Sequence, residues 1–383
     1  MTGDWCGKNS YTDLWAHDAP AFGQNNSWTC SQRNQVGCRY EDDLFTNFTV
    51  DAINAHDASK PLMIYFAPHN VHLPLQVPAA QLAKFANVST DSQDRQYYSA
   101  MVNMVDSHVG MIVDALKARG FWENTLLVLS ADNGGPVYGP AYGCGTCDGS
   151  AGANNFPLRG GKHSNWEGGV RANAFVSGGF LPEAVRGTRT SQLTAIEDWY
   201  TTIAKLAGAD PVDERAAAAG LPPVEGVDLW PLLSGVNATS PRTEVWLGHD
   251  SPRNGPAVAG SATFVQGLIR ADGWKLLHDV LNQDMYQGPF YPNATTLAHP
   301  WKNTDYDCGT SVAPTCLFNV FDDPTEHVNQ AAARPDIVAE MAARIAELQK
   351  TVFSPDRGSS SPLACNVSAQ TGVYKGFIGP FLA

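Results

Sequence analysis

The chain has 383 residues, 43% of them apolar and 16% charged, with a formal net charge of −13. That length and apolar content supply a core for one large domain, or for a large one with a smaller companion, and exclude wholesale disorder. The acidic balance excludes nucleic acid as a partner, because it would repel a phosphate backbone, and no apolar run approaches the ~20 residues of a membrane-spanning helix. An anionic substrate is not excluded, since a local cation or metal can reverse the field at one site.

Residues 1–40 are rich in Trp, Asn, Gly and Cys without a clear period. They read as a loop region pinned by disulfides among Cys6, Cys30 and Cys38. A helix is expected over 41–55, with its acids in the first turn where the helix dipole favours them. The apolar run 61–67 reads as a buried strand. Tyr97, Met101, Met104, His108, Ile112 and Ala115 recur at steps of three and four, which predicts a long helix over 93–119 stopped by Gly120. A strand follows over 125–130. Residues 132–170 then form a glycine-rich loop longer than a connector needs, a common sign of function. A strand over 172–177 and a helix over 191–207 complete an alternation of strand and helix, the pattern of an α/β layered domain.

After Pro241 the texture changes. Short strands are expected at 244–247, 263–269, 274–278 and 316–321, with a hairpin turn at Ala271-Asp272-Gly273 and a closing helix over 335–351. The division is therefore an α/β catalytic domain over 1–239 and a smaller α+β subdomain with an antiparallel sheet over 240–383.

The eight cysteines lie mostly in loop-like surroundings, which suits disulfides better than a reduced core. Cys144-Gly145-Thr146-Cys147 has neither a βαβ context nor a second CxxC, so a disulfide is preferred to a redox or zinc motif. Sequons begin at Asn25, Asn47, Asn87, Asn237, Asn293 and Asn366. Both features point to the secretory route, lysosomal or extracellular. Residues 1–6 show neither the basic start nor the apolar stretch of a signal peptide. The two observations agree if the chain begins in mid-fold.

Three stretches carry chemistry. The strand 125–130 ends on Ser130-Ala131-Asp132-Asn133-Gly134-Gly135-Pro136. Ligands of open α/β sheets sit beyond the carboxyl ends of strands, and a carboxylate beside an amide oxygen suits a hard cation such as Ca²⁺ or Mg²⁺. The plain alternative is a turn that merely ends the strand. Residues 157–171 gather Arg159, Lys162, His163 and Arg171 in a glycine-rich loop of an acidic chain, which points to an oxyanion ligand. The alternative there is a solvated loop with local ion pairs, such as Glu167 with Arg171. His72, within Pro68-His69-Asn70-Val71-His72-Leu73-Pro74, could hold a leaving-group oxygen or donate a proton. A structural histidine is the competing reading.

In order and at these spacings, "PHNVHLPLQVP", "SADNGGP", "NNFPLRGGKHSNWEGGVR", "GWKLL" and "CLFNVFDDPTEHVN" resemble one family. The chain is similar to sulfatases of the arylsulfatase B type (N-acetylgalactosamine-4-sulfatase-like) from about Asp42 to Asn329. The resemblance implies an alkaline-phosphatase-like α/β/α sandwich, incomplete at its N-terminus, and hydrolysis of sulfate esters, those of sulfated sugars in particular. It implies Asp132 and Asn133 as ligands of one Ca²⁺, Lys162 as a sulfate contact, and His72 as a sulfate contact that assists the leaving oxygen.

The family's C-x-P-x-R or S-x-P-x-R motif, whose first residue becomes the formylglycine nucleophile, does not occur in this chain. Cys30-Ser31-Gln32-Arg33 lacks the proline and brings its arginine one position early. Asp42-Asp43 precedes a helix and so does not match the family's Asp-Asp metal pair. The chain therefore reads as the C-terminal two-thirds or so of a sulfatase, with about half the active site and no activity by itself. The competing readings are a pseudoenzyme that binds sulfated glycans without turnover and another hydrolase of the alkaline-phosphatase superfamily. The latter typically places a histidine where Asn133 stands.

Overall fold

The computed structural model describes residues 12–21, 39–87, 92–137, 152–250, 263–281, 283–289, 306–309, 315–352, 361–369 and 371–381. Two short strands, β1 (Trp15–Ala16) and β2 (Ala19–Pro20), form an antiparallel ribbon. The helices α1 (Glu41–Ala55), α2 (Ala79–Ala83) and α3 (Gln93–Ala118) follow. The expected positions of α1 and α3 hold. Glu41, Asp42 and Asp43 occupy the first turn of α1. The Ser92 side chain accepts from the Arg95 amide to cap α3, and Gly120, at φ 70°, ends it.

The face of α3 read from the sequence is the buried one. Tyr97, Met101 and Met104 pack with Ala100 against Leu75 and Val77. One turn and more further on, Ala115 and Leu116 pack against Ile53 of α1. α3 is thus the scaffold for residues 71–77, the segment that presents His72.

β3 (Leu127–Ser130) and β4 (Ala174–Ser177) pair antiparallel, with Leu127 opposite Ser177 and Ser130 opposite Ala174. Between them lies the one-turn helix α4 (Glu167–Val170). Then come α5 (Asp198–Leu206), α6 (Glu214–Ala218) and α7 (Trp230–Leu233). α5 starts seven residues later than expected, because the fully buried Asp198 carboxylate is used as an acceptor for the Ala195 and Val227 amides and for the Arg242 guanidinium. Burial disfavours the Arg242 charge, but Asp198 outweighs it and raises the guanidinium's pKa.

Two expectations of buried strands need correction. Residues 61–67 run without a ladder partner among the described residues, and their side chains face solvent: Met63 is 74% and Tyr65 89% exposed. Apolar composition favours a strand, but a strand also requires a neighbour for its backbone groups. β3, in turn, is half-buried and not enclosed. The cysteines at 6, 30, 38, 144 and 147 lie outside the described residues, so the disulfides expected there do too.

The C-terminal part is a four-stranded antiparallel sheet in the order β10-β7-β6-β5. Its strands are β5 (Glu244–Asp250), β6 (Thr263–Arg270), β7 (Trp274–Leu277) and β10 (Cys316–Asn319). The pair β8 (Val280–Leu281) and β9 (Tyr306–Asp307) lies beside it in sequence. The β6–β7 turn falls at Ala271-Asp272-Gly273 as expected. Gly273 sits at φ 89°, and a Cβ there would lie 2.7 Å from Asn319 Oδ1. α8 (Pro335–Gln349) covers one face of the sheet, burying Ile337, Val338, Met341 and Ile345 against Val265, Leu268, Leu276 and Leu317. α9 (Pro362–Ser368) follows. Cys308 and Cys316 form a disulfide on the other face, with Leu277 and Phe318.

That other face is closed by Trp166, which is fully buried in the same cluster. The residue after it, Glu167, and Glu326 both meet Lys275 of β7, whose Nζ lies 2.9 Å from Glu167 Oε1 and 2.8 Å from Glu326 Oε1. All three side chains are at most 5% exposed. Burial opposes the Lys275 charge, but the two carboxylates outweigh it and hold the ammonium above its ordinary range. Burial pushes the Glu326 carboxyl up, against the pull of Lys275.

Removing Lys275 leaves two buried carboxylates without their cation. Lys275→Ala is expected to lower the unfolding free energy by about 3–5 kcal/mol, read by urea denaturation, whereas replacing all three groups by apolar residues of similar size recovers most of it. The folded-state pKa of Lys275 is raised, so its contribution is complete below about pH 10 and is lost as pH rises through the folded value.

Candidate functional site

β3 delivers Asp132 and Asn133 to one place. The ladder continues one residue past the strand through Ala131 N–H donating to Asn173 O at 2.9 Å. Asp132 follows with its side chain exposed, and no hydrogen bond engages its carboxylate among the described residues. Asn133 Nδ2 donates to Gly134 O at 2.9 Å, which leaves the amide oxygen as the group able to meet a cation. Asp132 also bears on the buried Tyr98 phenol, which burial first and this carboxylate further push above its ordinary range, against Arg95.

The next two residues join this strand end to the loop that bears Lys162. Gly134 N–H donates to Gly169 O at 2.9 Å. A Cβ on Gly134 would lie 1.7 Å from Gly168 O, so only glycine fits at this crossing. Lys162 N–H donates to Gly135 O at 3.1 Å. The Asn155 amide ties three strands of chain together: its Oδ1 accepts from Gly135 N–H at 3.0 Å, and its Nδ2 donates to Gly135 O and Gly160 O at 2.9 and 3.0 Å. From the C-terminal part, Gln283 donates to Lys162 O and Gln287 Oε1 accepts from Asn155 N–H. Lys162 is thus half-buried on a backbone fixed from both sides.

His72 reaches the site from the α3 side. Its Nδ1 lies 2.8 Å from Leu73 O, and a carbonyl can only accept, so Nδ1 carries the proton and Nε2 is the nitrogen available to a ligand. The loop before it is clamped by Asp42, 2% exposed, whose two oxygens accept from the His69 and Asn70 amides at 3.0 Å each. The Tyr40 hydroxyl lies 2.7 Å from Asn70 Oδ1 and 2.8 Å from Gln76 O. Asp43 is held 2.7 Å from His108 Nε2. Both acids are therefore engaged in holding the loop and the helices.

The neighbour of Lys162 is His163, at φ 71°. Partial burial lowers its pKa first, and the charges of Lys162 and His72 lower it further. The His72 segment is thus close enough to this loop to bear on the His163 ring.

The cation cluster read from the sequence is smaller than expected. Arg159 is 6% exposed and donates from Nε to Asp284 Oδ1 at 2.8 Å and from Nη1 to Glu326 O at 2.9 Å. Its guanidinium lies 3.6 Å from the Trp166 ring centroid. Arg159 is a structural cation and not an oxyanion clamp: an arginine flanked by aromatics and a carboxylate is worth more buried than exposed. Arg171 is half exposed, 3.7 Å from Glu167. Of the cations and imidazoles read from the sequence, Lys162, His163 and His72 remain as candidates for an anion.

Asp132 and Asn133 are donors of the right hardness for Ca²⁺, but these two side chains supply at most three oxygens where Ca²⁺ takes six to eight. Among the described residues no group of three or more His, Cys, Asp or Glu side chains is placed to hold a metal. The described donor set therefore does not make a complete calcium site.

Gln283 and Gln287 carried no signal in the sequence. Each is a lone polar residue whose partner lies far along the chain. The two neighbouring asparagines at 154 and 155, set before a run of glycines, were the one visible hint. The glycine crossing has a direct test. Gly134→Ala is expected to separate the Asp132 turn from the Lys162 loop and lower the melting temperature by several degrees, read by circular dichroism, while Gly110→Ala, where a Cβ meets nothing within 4 Å, does not.

A sulfatase family model matches residues 2–209. Mouse Arylsulfatase J is 31% identical over 336 residues, covering 84% of this chain and 52% of that protein. Human Arylsulfatase A is 26% identical over 304 residues, covering 77% and 49%. Among solved structures, Ps i-CgsB in complex with k-i-k-neocarrahexaose aligns at a TM-score of 0.61 and 26% identity, over 83% of this chain and 56% of that one. The chain thus spans about half the length of the relatives it matches. Its fold class is α/β, of the alkaline-phosphatase-like kind that sulfatases share. With a family match over more than half its residues, a span that includes His72, Asp132, Asn133 and Lys162, the chain belongs to the sulfatase family.

Proposed function

We propose that this chain is part of a sulfuric ester hydrolase of the arylsulfatase B type, acting on sulfated sugars. The observation that carries the reading is the hydrogen bonding of the Lys162 loop to the residues after the Asp132-Asn133 turn, Gly134 N–H to Gly169 O and Lys162 N–H to Gly135 O, with the His72 segment near enough to bear on His163. In this reading Lys162 neutralises a sulfate oxygen and stabilises the charge that grows as the ester bond breaks. His72 contacts the same group through Nε2 and, when protonated, gives that proton to the leaving oxygen. His163, with its lowered pKa, stays neutral near pH 7 and adds no competing charge beside Lys162.

Asp132 and Asn133 are proposed as two of the ligands of a Ca²⁺ ion, which would draw charge from the sulfate when bound. The relatives support the substrate class: two are arylsulfatases by name, and a solved relative holds a neocarrahexaose. The secretory route is supported by the Cys308–Cys316 disulfide and by the exposed sequon asparagines Asn47, Asn87, Asn237 and Asn366. No described helix is long and apolar enough to cross a membrane. A boundary between catalytic domain and C-terminal subdomain at 239/240 belongs to the same proposal.

The nucleophile motif does not occur in the sequence, so the chain by itself is proposed to be inactive. Purified chain is expected to release no product from an aryl sulfate above the uncatalysed rate. Measurable turnover would contradict this. In a calorimetric titration Ca²⁺ is expected to bind weakly, in the millimolar range or above, and micromolar binding would show that the donor set is larger than proposed.

A further inference from the structure

Behind the Lys162 loop lies a cavity of about 530 Å³, within the ~300–1,000 Å³ range of small-molecule sites. Its lining includes Arg159, Asp284, Tyr286, Tyr306, Phe318 and His327. We infer that this cavity is a second carbohydrate site, which takes an uncharged pyranose ring of a glycan and not its sulfate group. The identity of the glycan rests on the sulfatase reading above; the existence and chemistry of the cavity do not.

The charge balance excludes an anion. Arg159 is the cavity's full positive charge, and it is already paired with Asp284 at 2.6 Å and bonded to Glu326 O at 2.9 Å. Behind it stand two carboxylates, Glu167 and Glu326, against one ammonium, Lys275. A sulfate entering here would meet a neutral to negative field and would have to break an existing ion pair. The guanidinium is also screened by rings: Trp166 at 3.6 Å, Tyr306 at 4.9 Å and Tyr286 at 5.4 Å, measured to the ring centroids.

What the walls offer is aromatic surface with polar edges. Tyr286 and His327 stack on each other at 4.1 Å and 22°, and both are exposed. The half-buried Tyr306 adds apolar ring surface, and Phe318, 1% exposed, backs the wall from within the core. His327 Nδ1 lies 2.8 Å from Thr325 Oγ1, and the ring's other nitrogen is set away from that contact. The Asp284 side chain, 24% exposed, brings a carboxylate to the same cavity. Rings that cover the C–H face of a sugar, together with a carboxylate and an imidazole that meet its hydroxyls, match a neutral pyranose on both counts. The site is also built: Gly160 N–H donates to Met285 O at 2.9 Å, and Gln283, next but one, holds Lys162 O, so the wall and the Lys162 loop share their fixation.

The test uses the whole chain and two probes, neutral neoagarotetraose and N-acetylgalactosamine 4-sulfate, by calorimetry with saturation-transfer NMR. Neoagarotetraose is expected to bind saturably at about millimolar Kd, to weaken about tenfold in both Tyr286→Ala and His327→Ala, and to be unchanged in Lys162→Ala. His327 is exposed, so its variant keeps the fold even if Tyr286→Ala does not. No saturable binding, binding that survives both variants, or binding lost in Lys162→Ala would each overturn the inference. The sulfated probe separates the two claims. If it binds through Lys162 while the neutral one does not bind, the cavity inference fails and the sulfatase reading stands. If only the neutral one binds, through Tyr286 and His327, the cavity stands and the sulfatase reading fails.

Discussion

The arrangement depends on one buried ionic contact, Lys275 with Glu167 and Glu326. It fastens the loop that carries Lys162 to the C-terminal sheet. Three ionisable groups out of water are costly, and each is tolerated only because the others are there. The location explains the arrangement. Trp166, immediately before Glu167, closes the inner face of the sheet, and Arg159 lies on the Trp166 ring. Apolar burial sets the depth of the loop, while the ion contacts set its register. A loop of glycines has no such register of its own.

The other half of the site is held by different physics. His72 sits on a segment packed against α3, and its backbone is clamped by the buried Asp42 carboxylate. Helix and clamp come from α1 and α3, whereas Lys162 is fixed from the C-terminal part. The Asp132-Asn133 turn is bonded through Gly134 and Gly135 to the Lys162 side. In the proposed site, two separately supported segments would present one carboxylate, one amide, one ammonium and two imidazoles to a common region. That is the property expected of a centre that binds a small tetrahedral anion, where position matters more than any single contact.

Much of this was readable in the sequence. α1 and α3 followed from periodicity and first-turn acids, and the β6–β7 turn from Asp272-Gly273. Asp132, Asn133 and His72 stand out as candidates because they follow apolar runs, and Lys162 because it stands in a glycine-rich loop. Two kinds of information were not local. Residues 61–67 have strand composition, but pairing depends on a neighbour that composition does not report. Arg159 looks like Lys162 in the sequence, and only the contact with Asp284, 125 residues away, turns it into a structural cation. Gln283 and Lys275 act at separations of 121 and 108 residues, beyond any short-range pattern.

The account's central claim is that His72 and Lys162 act on one anion. A double-mutant cycle on the binding of inorganic sulfate measures this directly, using His72→Ala, Lys162→Ala and the double variant. The account predicts that each single variant loses most of the affinity and that the double variant loses little more, a coupling of about 1 kcal/mol or above. Strictly additive losses, or sulfate affinity unchanged in either single variant, would contradict it.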